Sequence, residues 1–319
     1  MAAEVPFHRI VVPTPYAVGP ANVYVIAADP VTLIDCGPNT PAAENALFLG
    51  LADLGLAPQQ VARVVITHGH PDHFGLAPRF QELAGARILV GELDIPKVAQ
   101  SHSLMMATGA LMLAEGMPME ELIQAGERGR SLGDRPPRIE DAEPLRGGDR
   151  LEFDAFDLEI LHLPGHTAGH VCPFHRESGT LFSGDTLILH ITPNPLLEPD
   201  PEDPSERRRS LIEYIGTLDE LASLPLRTVH PGHGDPIADA HGLIVEMRAH
   251  HRRRADDLAS RLTGEPKTGW ALANELFPNL GAFDNFLAVS EVVAHMDLLV
   301  EDGRARTVTR FGVTGYVRA

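Results

Sequence analysis

Histidine and aspartate cluster at four places in this chain, each time directly after a short apolar segment. Because ligands at the ends of neighbouring strands meet at one edge of a sheet, we expect these clusters to lie together. Imidazole and carboxylate groups suit Zn, Fe or Mn, and no thiolate is needed. One histidine alone is usually structural, but scattered structural histidines do not explain four such clusters. The clusters are HGHPDH at 68–73, PGHTAGH at 164–170, SGD at 183–185 and HPGHGD at 230–235.

The spacing within the first cluster predicts two metal ions. His68 and His70 stand two residues apart in an extended segment, so their side chains point the same way. Asp72 and His73 fall on the turn into a helix begun by Pro71, and can therefore face a second ion. A carboxylate shared by the two ions suits a separation of about 3.5–4 Å.

The segments that carry these clusters alternate between strand-like and helix-like patterns, which favours an α/β layered fold. The first predicted helix runs from Thr40 to Leu54, with Thr40 as its N-cap ahead of Pro41. A second helix is predicted over 71–83. Predicted strands cover 9–12, 23–27, 31–35, 61–67, 86–90, 151–153, 158–163, 180–182 and 228–230.

The four clusters resemble the motif set of the metallo-β-lactamase-fold superfamily of metallohydrolases. HGHPDH matches the H-x-H-x-D-H motif, PGHTAGH matches the glyoxalase-II-like PGHTxGH, and SGD and the GH at 232–233 complete the set. LIDCG at 33–37 matches the early strand-Asp-Gly motif. The resemblance covers about residues 8–240 and implies a four-layer αββα fold.

Carried over position by position, the resemblance implies two divalent metal ions, with Zn first and Fe or Mn as alternatives. Asp35 and Thr67 would hold the ligands in orientation. Asp72 could in addition orient the attacking hydroxide or shuttle its proton. The implied ligands are His68, His70 and His166 for one ion and Asp72, His73 and His233 for the other, with Asp185 bridging.

These residues predict a hydrolase that cleaves a small-molecule ester, thioester or lactone with a metal-bridging hydroxide. A metal-dependent endoribonuclease is the alternative, followed by a mononuclear iron dioxygenase. The true β-lactamases of this superfamily lack the bridging aspartate that Asp185 supplies, so antibiotic hydrolysis is not expected. No G-x-S-x-G motif offers a rival nucleophile, and Cys36 and Cys172 are expected to be buried and structural.

Several further residues are candidates for contacting the substrate. His190 follows Asp185 closely, and His170 could either contact substrate or hydrogen-bond within its loop. Segment 97–130 holds five of the eight methionines and predicts two helices broken near 116–118, either an ordinary hairpin or a lid in which Met105 and Met106 touch an apolar substrate. His102 is a weaker candidate, and His230 is expected either to support the metal ligands or to be structural.

The composition limits which binding partners and which cellular compartment we expect for this protein. Residues 1–240 hold 16 Lys and Arg against 34 Asp and Glu, a balance of −18, whereas residues 241–319 hold 10 of each. An acidic catalytic part makes nucleic acid an unexpected partner. Two cysteines cannot build a disulfide framework, and no apolar run approaches a membrane span, so we expect a cytoplasmic protein. A homo-oligomer is compatible with the sequence.

The change in charge predicts a domain boundary near 240, with a catalytic domain at 1–240 and a second domain at 241–319. Helices predicted over 241–262, 267–277 and 287–300 precede strands over 305–310 and 314–317. This order resembles the winged-helix module attached to some β-lactamase-like proteins, including endoribonucleases. The third helix has no Lys or Arg, which is poor for phosphate contacts, so we expect the module to pack on protein. Glyoxalase II itself uses a different C-terminal helical region to hold glutathione, so the resemblance leaves open whether a glutathione thioester is the substrate.

Overall fold

The computed structural model describes residues 5–131, 136–203 and 206–319. Within them the chain forms two compact units, one of Met1–Ser101, Leu132–Pro193 and Glu220–Leu243, the other of His102–Ser131, Asn194–Asp219 and Ile244–Ala319. The last change of unit falls close to the boundary expected near 240, while segments 102–131 and 194–219 also belong to the second unit. The division into domains at 240 stays a prediction.

The first unit contains two β-sheets that pack face to face. The first sheet has the order β1-β2-β3-β4-β5-β6, and β3, β4, β5 and β6 run parallel to one another. The second has the order β11-β10-β9-β8-β7, with β10 and β11 parallel. The strands are β1 (His8–Val12), β2 (Ala21–Ile26), β3 (Thr32–Ile34), β4 (Arg63–Ile66), β5 (Arg87–Gly91), β6 (Glu143–Leu145), β7 (Arg150–Glu152), β8 (Asp157–His162), β9 (Val171–His175), β10 (Thr180–Gly184) and β11 (Thr228–Pro231).

Apolar side chains from facing strands form the core between the two sheets. Ile26 and Val65 of the first sheet belong to the same buried cluster as Ile160 and Phe182 of the second. A second cluster lies on the other face of the first sheet, where helices α1 (Pro41–Asp53) and α3 (Ala77–Ala84) pack against it. These layers confirm the α/β layered architecture predicted from the sequence.

The helices follow the predicted segments closely, with instructive differences. Thr40 caps α1 as predicted, since its side chain accepts a hydrogen bond from the backbone N–H of Ala43. The single helix predicted over 71–83 is wrong, because the chain forms α2 and α3 with a break at Gly75 and Leu76. A Cβ at Gly75 would lie 2.3 Å from the backbone N of Asn39, so only glycine lets the chain pass at this point. The remaining helices are α2 (Pro71–Phe74), α4 (Ile95–Val98), α5 (His102–Ala114), α6 (Met119–Ser131), α7 (Ser210–Ser223), α8 (Ala240–Arg261), α9 (Gly269–Leu276) and α10 (Ala282–Glu301), with 3-10 turns at Pro58–Gln60 and Glu92–Asp94.

The second unit has a core of its own and a small sheet. Its buried cluster includes Met112 of α5, Leu258 of α8 and Val292 of α10. The sheet has the order β12-β14-β13 and is antiparallel throughout. Its strands are β12 (Lys267–Thr268), β13 (Ala305–Arg310) and β14 (Val313–Arg318). The first two residues of the helix predicted over 267–277 are therefore a strand instead.

No helix in the described part of the chain combines the length and the hydrophobicity needed to cross a bilayer.

Candidate metal centre

The fold delivers the seven predicted ligands from the ends of four strands. β4 leads directly to Thr67 and the first cluster, and β10 and β11 are parallel neighbours that end at the same edge of their sheet. The predicted ligands are His68 after β4, His70, Asp72 and His73 at the start of α2, His166 between β8 and β9, Asp185 directly after β10, and His233 after β11.

Three imidazole nitrogens converge in the first group. His70 Nδ1 lies 2.9 Å from His68 Nε2 and 3.0 Å from His166 Nε2. One ring nitrogen carries either one proton or one lone pair, so His70 Nδ1 cannot complete a hydrogen bond with both neighbours. A cation shared by the three nitrogens would satisfy all of them, and their atoms lie within 4.8 Å of one another.

The second group consists of Asp72, His73 and His233. His233 Nε2 lies 3.4 Å from Asp72 Oδ2, and His73 Nε2 lies 3.9 Å from Asp72 Oδ1. Among the described residues, the Nε2 atoms of His73 and His233 are buried without a hydrogen-bond partner. A buried polar atom without a partner is costly, and metal coordination through these two nitrogens and Asp72 would satisfy them.

Asp185 stands between the two groups. Its Oδ2 lies 3.8 Å from His166 Nε2 and 3.7 Å from His233 Nε2, while its Oδ1 lies 3.5 Å from His73 Nε2. Gly232 makes room for this carboxylate, because a Cβ there would lie 2.5 Å from Asp185 Oδ1. The bridging role that the resemblance implies for Asp185 stays a prediction.

Backbone and carboxylate groups behind the ligands fix their orientation. Asp35 accepts hydrogen bonds from Thr67 N and Thr67 Oγ1, each at 2.8 Å, and from His73 Nδ1 at 2.8 Å. His233 Nδ1 lies 2.9 Å from the carbonyl of Pro20. A proton held on Nδ1 by these acceptors leaves the Nε2 lone pair of His73 and His233 directed at the metal position.

The electrostatics of the two groups differ. Burial first, and the neighbouring imidazoles second, lower the pKa of His68 and His70 well below the ordinary value. Both rings are therefore neutral at pH 7, which is the form that binds metal.

In the second group, the carboxylates and the imidazoles shift each other's pKa values. Burial opposes the charged form of His73, but the carboxylates of Asp185, Asp35 and Asp72 outweigh it and raise the pKa of His73 well above the ordinary value. Burial likewise opposes ionisation of Asp185, yet His73 and His233 lower its pKa far below the ordinary value. Asp185 is therefore an ionised carboxylate, as a bridging ligand must be.

His170 is placed behind the site rather than in contact with solvent. Its ring is fully buried and stacks on His68, with centroids 4.8 Å apart. His170 Nε2 accepts a hydrogen bond of 3.1 Å from Asp185 N, so its Nδ1 carries the proton and faces Thr186 Oγ1 at 3.2 Å. This arrangement favours the predicted hydrogen-bonding role over a substrate contact.

The other candidates fall into two kinds of environment. His190 is exposed, with Nε2 3.3 Å from the carbonyl of Val18, and stays a candidate for contacting substrate. Met105 and Met106 are exposed on α5 in the second unit, as is His102, so the predicted contact of these methionines with substrate stays a prediction. His230 is buried against the rings of Phe7, Tyr24 and Phe182, as expected for a structural residue.

Both cysteines are buried. Cys36 Sγ lies 3.3 Å from the carbonyl of His73, and Cys172 Sγ lies 3.4 Å from the carbonyl of Ser183. Burial raises the pKa of the Cys172 thiol to about 12, which makes it unreactive at neutral pH.

The sequence analysis missed one buried carboxylate close to the ligand loops. Asp94 has no solvent exposure and accepts hydrogen bonds from Gly69, Thr167 and Gly169. The available signal was its position soon after β5, which is the parallel neighbour of β4.

Comparisons with known proteins agree with this geometry. Residues 16–233 match the family model of the metallo-beta-lactamase superfamily. The probable metallo-hydrolase YqjP of Bacillus subtilis (strain 168) is 32% identical over 297 residues, which cover 90% of this chain and 90% of that protein. A hydroxyacylglutathione hydrolase of Synechococcus sp. (strain JA-2-3B'a(2-13)) is 37% identical over 188 residues, covering 59% of this chain and 54% of that protein.

Solved structures extend the similarity. A metallo-beta-lactamase family protein from Thermus thermophilus has a TM-score of 0.84 and 32% identity, covering 98% of both chains. A beta-lactamase domain protein from Burkholderia ambifaria shares the fold, with a TM-score of 0.82 at 23% identity, over 99% of this chain and 93% of that one. The fold class predicted from the sequence is thereby confirmed, and the chain belongs to the metallo-β-lactamase superfamily of metallo-hydrolases.

Proposed function

We propose that this protein is a dinuclear metal-dependent hydrolase that cleaves an ester, thioester or lactone bond in a small molecule. The observation that carries the proposal is the position of Asp185, within 4.0 Å of His68, His73, His166 and His233. A carboxylate within reach of two ligand groups suits two ions about 3.5–4 Å apart.

The donor set fits zinc best, with iron or manganese as alternatives, because it combines imidazole with carboxylate and contains no thiolate. His68, His70 and His166 would hold one ion, and Asp72, His73 and His233 the other. When bound, the two ions would supply activated water at neutral pH and polarise the oxygen of the scissile carbonyl.

The chain itself would position the reactants and handle the proton. The Asp72 side chain is buried next to His233, so its carboxylate can accept a hydrogen bond from the attacking water and hold the proton for the leaving group. Asp35 and Pro20 would keep His73 and His233 in the metal-binding tautomer.

Two observations support an acyl substrate. The similarity to a hydroxyacylglutathione hydrolase favours a thioester among the three bond types. Leu189 and Ile191, which flank His190 soon after Asp185, are exposed apolar side chains that suit an acyl group.

We also propose that α8 to β14 is a winged-helix module that does not bind RNA. Its element order is helix, strand, helix, helix and two strands. α10 contains no Lys or Arg, and three nearby arginines, two on α8 and one in the turn before β13, are paired with acids. The pairs are Arg254 with Glu291, Arg261 with Asp257, and Arg304 with Asp256.

The test is a panel of thioesters, lactones and short single-stranded RNA assayed on the metal-loaded protein, together with its metal content. We expect close to two ions per chain, turnover of at least one acyl substrate, and loss of that turnover in His166→Ala. His241→Ala, which removes an exposed histidine of α8, is the matched control and should behave like the wild type. One well-occupied iron site would contradict the dinuclear proposal. Strong, salt-sensitive RNA cleavage without acyl turnover would favour the endoribonuclease instead.

A further inference from the structure

Asp94 is a fully buried carboxylate that uses both of its oxygens in hydrogen bonds. Its Oδ2 accepts from Gly69 N at 2.7 Å and from Thr167 Oγ1 at 2.6 Å, and its Oδ1 accepts from Gly169 N at 2.8 Å. Although burial opposes ionisation, Lys97 and these three donors lower the pKa of Asp94, so it is ionised. Hydrogen bonds to a buried charge are among the strong ones in proteins.

These three bonds connect the two loops that carry the three-histidine group. Gly69 lies between His68 and His70, and Thr167 directly follows His166. The two loops are about a hundred residues apart in sequence, and their histidine nitrogens must meet within about 3 Å. Asp94 therefore binds both loops. A small shift of either loop would separate His166 from His68 and His70.

Close backbone packing makes this connection rigid. A Cβ at Gly169 would lie 2.3 Å from the backbone N of Asp94, and a Cβ at Gly91 would lie 1.8 Å from the carbonyl oxygen of Gly169. Above Gly69, the side chain of Lys97 leaves no room either, since a Cβ at Gly69 would lie 2.7 Å from its Cβ. The two loops therefore pack directly against segment 91–97, and this close packing holds Asp94 in place.

The other metal group has a different anchor. Asp35 holds His73 directly and also holds Thr67, whereas the hydrogen bonds of Asp94 go only to the loops of His68, His70 and His166. Asp35 therefore acts on the second group directly and on the first group only through Thr67, whose Oγ1 lies 3.1 Å from His68 Nδ1, whereas Asp94 acts on the first group alone.

We propose that Asp94 is a positioning residue that sets the affinity of the His68–His70–His166 group for its metal ion. The proposal rests on the proposed dinuclear function, and it concerns one of the two ions specifically. Asparagine cannot replace Asp94, because whichever way its amide is turned, its NH₂ faces a backbone N–H that needs an acceptor.

The experiment compares metal binding in Asp94→Asn, Thr167→Val and Thr167→Ser with the wild type, using zinc and a competing chelator. Asp94→Asn should lower the affinity of the chain for one of the two ions by about 10–100-fold and leave its affinity for the other ion unchanged. Thr167→Val, which removes one donor, should act in the same direction with a smaller effect. Thr167→Ser keeps the hydroxyl and should restore the affinity. Glu92→Gln is the matched control, because Glu92 is an exposed acid of the same turn that pairs with Arg146.

Cobalt substitution identifies which ion is affected. The absorption spectra of His70→Ala and His233→Ala define the loss of each ion in turn, and the spectrum of Asp94→Asn at limiting cobalt should resemble that of His70→Ala. A spectrum that resembles His233→Ala, or equal weakening of both ions, would overturn the proposal. If Asp94→Asn does not fold, wild-type zinc affinity in Thr167→Val would overturn it.

These readouts separate this proposal from the proposed function. If the chain binds two ions and Asp94→Asn loses one of them, the positioning role stands even when no ester, thioester or lactone is cleaved. If acyl substrates are cleaved but Asp94→Asn keeps both ions at wild-type affinity, the hydrolase stands and the positioning role fails.

Discussion

His73 Nδ1 lies 2.8 Å from Asp35 Oδ2, and the same carboxylate binds both the backbone N–H and the hydroxyl of Thr67. Asp35 follows β3 and Thr67 follows β4, its parallel neighbour. One buried acid therefore holds together the residue that precedes the first histidine cluster and the last residue of that cluster. Asp35 adopts a φ of 58°, which turns the chain sharply at the strand end.

Asp35→Asn should weaken metal binding at the group that contains His73. Asparagine offers one acceptor oxygen where three donors converge, so the tautomer and the orientation of His73 are no longer fixed. We expect about a 10–100-fold loss of affinity for one ion, measured by competition with a chelator. Asp53→Asn, at an exposed position near the end of α1, is the control. Unchanged zinc affinity in Asp35→Asn would show that this contact does not position a ligand.

Asp185→Ala should remove at least one of the two ions and abolish turnover. Its carboxylate lies within 4.0 Å of histidines from both ligand groups, so its loss removes an anionic donor from each of them. Metal content after dialysis and turnover of the best acyl substrate are the measurements. Asp154→Ala removes an exposed carboxylate in the turn between β7 and β8 and should change neither. Full activity in Asp185→Ala would refute the bridging assignment.

Glu115 predicts a pH dependence of stability in the second unit. Burial raises the pKa of Glu115 to about 7, and Tyr316 donates to the same carboxyl group at 3.0 Å. The unfolded chain releases this proton near pH 4.5 and the folded chain only near 7, so folding takes up a proton between these values. The free energy of unfolding should therefore fall as the pH rises through this window, by up to about 3 kcal/mol for this group.

Glu115→Gln should remove that part of the pH dependence. Compared with the wild type, the variant should therefore have a higher free energy of unfolding at pH 8 than it has at pH 4.5. Denaturant unfolding followed by the fluorescence of Trp270, the single tryptophan, reports on this unit. Glu120→Gln is an exposed control on α6. If the wild type and Glu115→Gln show the same slope of unfolding free energy against pH, Glu115 does not titrate as stated.

Local features of the fold could be read from the sequence because neighbouring residues determine them. Thr40 and Pro41 mark the start of α1, and the apolar run before Thr67 marks β4. Helix α7 could also be predicted from the sequence, although it was missed. Its apolar residues recur at helical spacing and are all buried: Leu211, Tyr214, Leu218 and Leu221. The break of the second predicted helix at Gly75 could not be predicted from the sequence, because it is caused by contact with residues 38 and 39.

The sequence by itself determined which residue types end which strands, and thereby the chemistry of the metal centre. Side-chain chemistry and strand propensity are properties of short segments, so they indicated a metal site at one edge of a sheet. The family resemblance then implied His68, His166, Asp185 and His233 as ligands before their distances were known. Only the tertiary structure decided that a carboxylate as distant in sequence as Asp94 lies between two of these loops. That position depends on how β5 pairs with β4 and how closely Gly169 approaches the backbone, and no local pattern encodes either.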